Sequence, residues 1–256
     1  MHRRTMLVAA TSGAVLHACP PLARQREGPP PAEAEGLDLL LVLAVDVSRS
    51  IDEDEALLQR EGYRGAITDP VVVAAIRGGA TGAIGLAYVE WAGDMYQRLV
   101  VPWTRIASQA DADAFSERLA GRPRREVPTL LLDLHTSISG GIDFSRRLMS
   151  ESPWEASRRV IDVSGDGDNN SGPPAEEARD RAIAEGISVN GLAIVNDRPP
   201  FAYSGPVPLE EYFRECVVGG PGAFVVEAKD FADFPQAIRR KLVREITGFA
   251  MALAPG

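Results

Sequence analysis

The sequence has 256 residues, 45% of them hydrophobic, and carries a formal net charge of −9 at pH 7. This length and apolar content are enough for one sizeable buried core, so a single domain is the default expectation. The negative charge argues against a nucleic acid or an anionic membrane surface as the main ligand, because both bind clusters of Lys and Arg.

The first 36 residues have the composition of an export segment followed by a linker. A positive segment at residues 2–4 precedes an apolar stretch at 6–15, which is too short to span a bilayer and is typical of a secretory signal. We predict an export signal over residues 1–23, or one ending at Cys19 if that cysteine is lipidated. Residues 24–36, rich in Pro, Ala and Glu, predict an unpacked linker. The protein is therefore expected to be periplasmic or secreted, and a lipid anchor is its one expected route to a membrane.

The stretch at residues 39–46 is a run of Leu, Val and Ala that ends in Asp46. Such a run is typical of a strand buried on both faces in the middle of a parallel sheet, and open α/β folds bind ligands at the carboxyl ends of such strands. Asp46, Ser48 and Ser50 would place three oxygen donors there, which suits a hard cation. A structural alternative stays open, because Ser50 and Glu53 also form a capping box for a following helix.

The rest of the chain alternates between helical and strand patterns. Helices are predicted at residues 54–67, 71–76, 108–119, 136–151, 174–185, 209–218 and 231–249, with Thr136 as the cap of the fourth. Further strands are predicted at residues 83–91, 96–103, 160–164, 187–195 and 223–227. The first two of these strands form a hairpin. We therefore predict a doubly wound α/β fold with a mainly parallel central sheet, one antiparallel edge strand and helices on both faces.

Two further residues have unusual settings. Asp162 lies within an apolar strand, so its carboxylate must be paired, and Arg158 or Arg159 is the expected partner. Cys216 is predicted to be a buried, inert thiol. With Cys19 it makes only two cysteines, which supply neither a disulfide framework nor a Cys-based zinc site.

Oxygen donors recur at three separate points of the chain, in Asp46-Val47-Ser48-Arg49-Ser50, Thr136 and Asp166-Gly167. Their order and spacing resemble the von Willebrand factor A domain with its metal-ion-dependent adhesion site. In that family a first strand ends in Asp-x-Ser-x-Ser, a distant loop supplies a Thr, and a later strand ends in Asp-Gly. The resemblance covers residues 37–250 and leaves 251–256 as a tail.

The match departs from the family pattern at two positions, each directly before a predicted ligand residue. Gly165 precedes Asp166 where the family commonly has Thr, and His135 precedes Thr136 where it often has Gly. The oxygen donors themselves are kept. More narrowly, residues 163–170 resemble a bacterial subfamily of exported A-like domains of unknown function, DUF1194.

The resemblance implies a divalent cation, with Mg²⁺ first and Ca²⁺ or Mn²⁺ as alternatives. Two carboxylates would neutralise the ion and leave it an open position for one more oxygen, which the resemblance assigns to an Asp or Glu of a protein partner. The implied ligands are Asp46, Ser48, Ser50, Thr136 and Asp166.

Four residues beside these ligands have two open interpretations. They either line the rim and orient bound waters, or they only form the surrounding turns. The four are Asp168, Asn169, Asn170 and Ser137.

An exported, metal-dependent protein-binding module for adhesion or assembly is therefore the expected function. A metal-dependent hydrolase or phosphatase using Asp46 is one alternative. However, phosphatases of the haloacid dehalogenase type need a second carboxylate where this chain has Ser48, and a Ser-His hydrolase would have to use His135. Neither a Gly-x-Ser-x-Gly elbow nor a nucleotide-binding glycine loop is present, so no catalytic residue is predicted. A metal-free scaffold of the same fold is the remaining alternative.

Overall fold

The computed structural model of the chain describes residues 36–48, 53–121, 135–195, 205–230 and 232–248. These residues belong to the unit Ala34–Gly256. The strands are β1 Leu39–Asp46, β2 Ile84–Trp91, β3 Gln97–Ile106, β4 Arg159–Gly165, β5 Ser188–Ile194 and β6 Val225–Ala228. The helices are α1 Glu53–Thr68, α2 Pro70–Arg77, α3 Gln109–Ala120, α4 Ile138–Ser150, α5 Ala175–Ala184, α6 Leu209–Tyr212 and α7 Phe234–Thr247, and a π-helical turn, Phe213–Val217, continues α6.

The strands form one sheet in the order β3-β2-β1-β4-β5-β6. β1 pairs in parallel with β2 and β4, and all eight of its residues are buried. β3 lies at the edge and pairs antiparallel with β2. Pro102 lies on this edge strand, where its missing amide donor is tolerated. The predicted mainly parallel sheet with one antiparallel edge strand is confirmed.

Helices cover both faces of the sheet because successive side chains of β1 point to opposite sides. Leu39, Leu41 and Leu43 join one buried cluster with side chains from α1, α2, α3 and α7. Leu40 and Val42 join a second cluster with side chains from α4, α5 and α6. Burying each such side chain contributes roughly 1.5–3 kcal/mol relative to exposure, so β1 anchors both cores. The predicted doubly wound arrangement is confirmed. Within the described residues, no helix has the length and apolar character needed to cross a bilayer.

The prediction that Thr136 caps the fourth helix is wrong. α4 begins at Ile138, and its N-cap is Ser137, whose Oγ accepts a hydrogen bond from the backbone N–H of Gly140 at 3.2 Å. Thr136 lies one residue earlier, so the cap does not use its hydroxyl. Both residues have side chains able to cap, and only the backbone geometry distinguishes them.

The predicted partner of Asp162 is also wrong. Its Oδ1 lies 2.6 Å from Nζ of Lys241 on α7, and neither side chain is exposed to solvent. Arg158 instead donates to the carbonyl oxygens of Glu245 and Ile246, both at 2.6 Å, near the end of α7. A residue four positions earlier on an extended chain lies about 13 Å away, so Arg158 could not reach along the strand.

The buried ammonium group of Lys241 interacts with two carboxylates, those of Asp162 and Glu245. Lys241 also donates to Oε1 of Glu245 at 2.5 Å, and Asn190 of β5 donates to the same oxygen at 3.0 Å. Burial, followed by the charge of Glu245, raises the pKa of Asp162 to about 7, while Lys241 acts in the opposite direction. Tyr63 faces the same cluster from α1. Below about pH 7, Asp162 therefore favours its neutral form in the folded protein.

Replacing Asp162 by Asn should flatten the pH dependence of stability. In the unfolded chain an Asp has a pKa near 3.8, so between that value and about 7 the folded protein holds a proton that the unfolded chain has lost. The free energy of unfolding therefore falls as pH rises through this window, by about 1.4 kcal/mol per pH unit for this one group. Asp162→Asn is neutral throughout and should lack this fall.

Urea denaturation across this pH window measures the effect. Asp113→Asn, a change at an exposed carboxylate of α3, is the matched control and should keep the wild-type slope. Equal slopes for wild type and Asp162→Asn would contradict the assignment of the titrating group.

Candidate metal site at the carboxyl edge of the sheet

Two predicted ligands lie at the ends of adjacent parallel strands. Val45 of β1 is paired with Ser164 of β4, so Asp46 and Asp166 follow at the same edge of the sheet. Both carboxylates are buried, with exposed fractions of 0% and 1%. Gly165 has no side chain, and a Cβ atom added to it would lie only 3.1 Å from Oδ2 of Asp46. The end of β4 therefore passes close to that carboxylate. The fold therefore brings these two acidic residues together.

Asp46 has one satisfied and one unsatisfied oxygen. Its Oδ1 accepts the backbone N–H of Ser48 at 2.7 Å, and the side chain of Ser48 also bonds to the carboxylate. Its Oδ2 is buried and has no hydrogen-bond partner. Burial, and then the negative charge of Asp166, raise the pKa of Asp46 well above its ordinary value. Two buried carboxylates in this arrangement need a proton or a cation, so the residues present fit a bound divalent ion.

Thr136 is held against the turn that carries Asp166. Its backbone N–H donates to Oδ1 of Asn170 at 2.8 Å, and its carbonyl oxygen accepts the N–H of Asn170 at 2.9 Å. A Cβ on Gly167 would lie 3.8 Å from Oγ1 of Thr136. Gly165 and Gly167 therefore flank Asp166 and approach Asp46 and Thr136 respectively.

Asn169 ties the same turn to the start of α4. Its Oδ1 accepts the N–H of Ser139 at 2.9 Å, and its Nδ2 donates to the carbonyl oxygen of Pro173 at 2.9 Å. Its own N–H donates to the hydroxyl of Tyr212 at 3.0 Å. Asn169 and Asn170 thus position the loop that carries Asp166 relative to Thr136. Asp168, between them and Asp166, is half-buried.

Two contributors to this geometry were not anticipated from the sequence. The carbonyl oxygen of Ala92, just after β2, accepts the N–H of Ser137 at 2.9 Å and so holds the start of α4 against the sheet edge. The hydroxyl of Tyr212 fixes Asn169 from α6. Neither contribution could be recognised in the sequence, because every residue has a backbone carbonyl and a single Tyr in a helix is not part of a known motif.

The site has a donor set of oxygens only. Asp46, Ser48, Thr136 and Asp166 are all at most 5% exposed and lie at one sheet edge, while the fifth predicted ligand, Ser50, lies outside the described residues. In the described part of the chain, no three His, Cys, Asp or Glu side chains could together hold a metal ion. A site here therefore depends on hydroxyl ligands beside two carboxylates, a set that suits a hard cation such as Mg²⁺ better than a thiophilic one.

Comparisons with known proteins agree with this fold. A family model described as "Protein of unknown function (DUF1194)" matches residues 36–250. Among curated proteins, none matches the chain. The predicted von Willebrand factor A resemblance is confirmed by solved structures of that fold, which at these identities show the fold alone.

Three such structures are similar over most of this chain. Proximal thread matrix protein 1 from the mussel byssus, with a zinc-occupied MIDAS motif, has 13% identity and a TM-score of 0.57, covering 84% of this chain and 50% of that one. The von Willebrand factor type A structure from Catenulispora acidiphila has 16% identity and a TM-score of 0.56, covering 82% and 43%. The pilus adhesin SpaC from Lactobacillus rhamnosus GG has 13% identity and a TM-score of 0.56, covering 82% and 30%. The chain thus spans half or less of their lengths.

Magnesium should stabilise the wild-type protein, and Asp46→Asn should remove that effect. An ion that binds only the folded state raises the free energy of unfolding by about 2.7 kcal/mol when its concentration is a hundred times its dissociation constant. Without divalent ions, the same variant should be more stable than wild type at pH 8, by on the order of 1 kcal/mol, because one of two adjacent buried carboxylates is gone.

Chemical denaturation with and without MgCl₂ measures both effects. Glu117→Gln, an exposed change on α3, is the control and should respond to magnesium as wild type does. A magnesium effect that persists undiminished in Asp46→Asn would contradict the site.

Asn170→Ala should weaken ion binding although Asn170 is not a predicted ligand. Its Oδ1 is the acceptor for the N–H of Thr136, so its loss frees the backbone that presents the Thr136 hydroxyl. Loss of such an outer contact typically costs ten- to a hundredfold in metal affinity. Calorimetric titration with Mg²⁺ and Mn²⁺ measures the change, and an affinity equal to wild type would show that Thr136 is positioned without Asn170.

Proposed function

This chain belongs to the DUF1194 family, and we propose that it is an exported protein-binding module that engages an acidic residue of its partner through a divalent cation. One observation carries the proposal. Oδ2 of Asp46 is fully buried beside Asp166 and has no hydrogen-bond partner. Burying a carboxylate oxygen that has no hydrogen-bond partner lowers the stability of the folded protein, and a cation bound at the sheet edge removes this penalty.

The charge of the donor set favours binding of one further carboxylate. Asp46 and Asp166 together neutralise a divalent ion, while Ser48 and Thr136 contribute neutral hydroxyls. Magnesium takes six oxygens in near-ideal octahedral geometry and keeps open any position that the protein does not fill. An Asp or Glu of a partner protein is the natural ligand for such a position. Calcium and manganese accept the same kind of oxygen donors and are the alternative ions.

The surface beside the site suits a protein partner. The turn between β2 and β3 contains Ala92, whose carbonyl oxygen holds the start of α4. The same turn contains Met95, which is 83% exposed to solvent. Methionine adapts its shape to varied partners and is over-used at promiscuous binding surfaces. A flexible apolar contact beside an ion supplies contact area in addition to the single ionic bond.

Similar structures support a binding role. One is a thread matrix protein with a zinc-occupied MIDAS motif and another is a pilus adhesin. The described groups at the site are two buried carboxylates and two hydroxyls, all of them oxygen donors that suit a bound ion.

Export of the protein is part of the proposal and rests on the sequence at residues 1–23, which lies outside the described residues. The positive segment followed by a short apolar stretch is its support. Cell fractionation with mass spectrometry of the mature amino terminus tests it. A processed chain in the envelope or medium supports export, and an intact Met1 in the cytosol contradicts it. A lipid mass on Cys19 would distinguish anchoring from secretion.

Partner binding should require both the ion and Asp46. Immobilised wild-type protein, incubated with cell-envelope extract in MgCl₂, should retain a partner that is released by a chelator and that Asp46→Ala does not capture. Asp113→Ala, an exposed change far from the site in sequence, should capture it normally.

The acidic residue of the partner is tested separately. Carboxylate-to-amide changes in the captured partner should include a single Asp→Asn or Glu→Gln that abolishes binding, because an amide cannot replace an anionic ligand of the ion. Capture that survives both the chelator and Asp46→Ala would refute an ion-mediated interaction. Release of phosphate from a generic phosphate ester, lost in Asp46→Asn, would favour the enzyme alternative instead.

A further inference from the structure

A cleft lies at the edge of the sheet opposite the candidate metal site. Its volume is about 240 Å³, and its wall includes the first residues of β4 and β5, Arg159 and Ser188, together with the last turn of α7. Because β4 and β5 are parallel to β1, their first residues lie at the edge opposite to Asp46. The cleft is therefore separate from the metal site.

Three guanidinium groups line this cleft. Arg158 donates to two carbonyl oxygens at the end of α7, and Arg159 donates to the carbonyl oxygen of Glu185 at 2.5 Å. Arg244 is exposed and stacks on the ring of Phe224, with 3.8 Å between its Cζ and the ring centroid. Across the described ranges, none of the three forms an ion pair with a carboxylate. A guanidinium has five N–H donors, so each retains donors for a ligand.

The one carboxylate lining the cleft is already engaged. Glu245 is only 2% exposed, and its Oε1 accepts hydrogen bonds from Lys241 and Asn190. Its charge also acts on Arg158, whose pKa burial lowers while Asp38 and Glu245 raise it, so among the described residues lining the cleft three arginines stand against one carboxylate. An excess of positive charge in a concave site raises the local concentration of anions, even on a protein whose net charge is −9.

Glycines keep the cleft open beside the guanidinium groups. A Cβ on Gly186 would lie 3.2 Å from Nη2 of Arg159, and a Cβ on Gly248 would lie 3.5 Å from Nη1 of Arg158. Both glycines have positive φ, 73° and 64°, a backbone conformation that other residues adopt only with strain. Side chains are therefore absent from the positions where they would crowd these two arginines.

We propose that this cleft binds a small oxyanion, held by Arg159 and Arg244 with Arg158 contributing positive charge. Guanidinium groups bind phosphate and carboxylate oxygens through paired, charge-assisted hydrogen bonds. The cavity is smaller than the 300–1,000 Å³ that is usual for drug-sized ligands, so the ligand is a free anion or the anionic end of a small metabolite. Phosphate and carboxylate share this chemistry, and the experiment distinguishes them.

Calorimetric titration of the full chain with inorganic phosphate tests the proposal, in a Tris buffer free of divalent ions. Saturable binding is expected, and it should weaken as salt is added because exposed charges are screened. Arg244→Gln should raise the phosphate dissociation constant by about tenfold, the effect of losing one charge-assisted contact. Arg159→Gln is a second variant with the same expected effect.

Matched control variants distinguish phosphate binding at this cleft from non-specific attraction of anions to other arginines of the protein. Arg147→Gln removes an exposed arginine of α4 that does not line the cleft, and it should leave phosphate binding unchanged. A parallel titration with malonate shows whether carboxylate competes, and tighter binding of one anion identifies the preferred class. Asp46→Asn should bind phosphate as wild type does, so this result is independent of the function proposed for the metal site.

Two results would overturn the inference. One is the absence of saturable binding for both phosphate and malonate. The other is an equal loss of affinity in Arg147→Gln and Arg244→Gln. Circular dichroism confirms that each variant is folded before titration.

Discussion

The arrangement of this protein depends on two carboxylates that should repel one another. Asp46 and Asp166 close adjacent parallel strands, and both are buried. Parallel pairing makes their proximity unavoidable, because β1 and β4 end at the same edge of the sheet. One oxygen of Asp46 remains without a partner. Burial of this pair costs free energy unless a proton or a cation is present.

Hydrogen bonds from outside the ligand set hold that edge in place. Asn169 and Asn170 connect the turn after β4 to the residues before and within the first turn of α4, and the carbonyl oxygen of Ala92 holds Ser137. These contacts join segments that lie about 30 to 45 residues apart in the sequence. The backbone of Thr136 and the turn that carries Asp166 are therefore held together by hydrogen bonds from several elements, and Ser137 rather than Thr136 caps the helix.

The sheet could be predicted from the sequence because its signals are local. The apolar run of β1 and the alternation of strands and helices depend on neighbouring residues, and the proposed ligands Asp46 and Asp166 lie where two strands end. Two features were beyond such reasoning. The choice of Ser137 over Thr136 as the helix cap depends on backbone geometry at one residue. The partner of Asp162, Lys241, comes from the last helix, and no local pattern indicates which cation will meet a carboxylate buried that far away in the chain.

Strand β4 connects the charged sites of the molecule. Arg159 stands at its first position in the wall of the cleft, Asp162 meets Lys241 at its middle, and Asp166 follows its last residue. Seven steps of about 3.3 Å put some 23 Å between Arg159 and Asp166, a separation at which two unit charges interact by less than about 1 kcal/mol at an effective dielectric constant of 20. Direct attraction between an anion in the cleft and an ion at the opposite edge is therefore weak. Coupling between the two proposed sites would pass through β4, whose Asp162 is joined by Lys241 of α7 to Glu245 in the wall of the cleft.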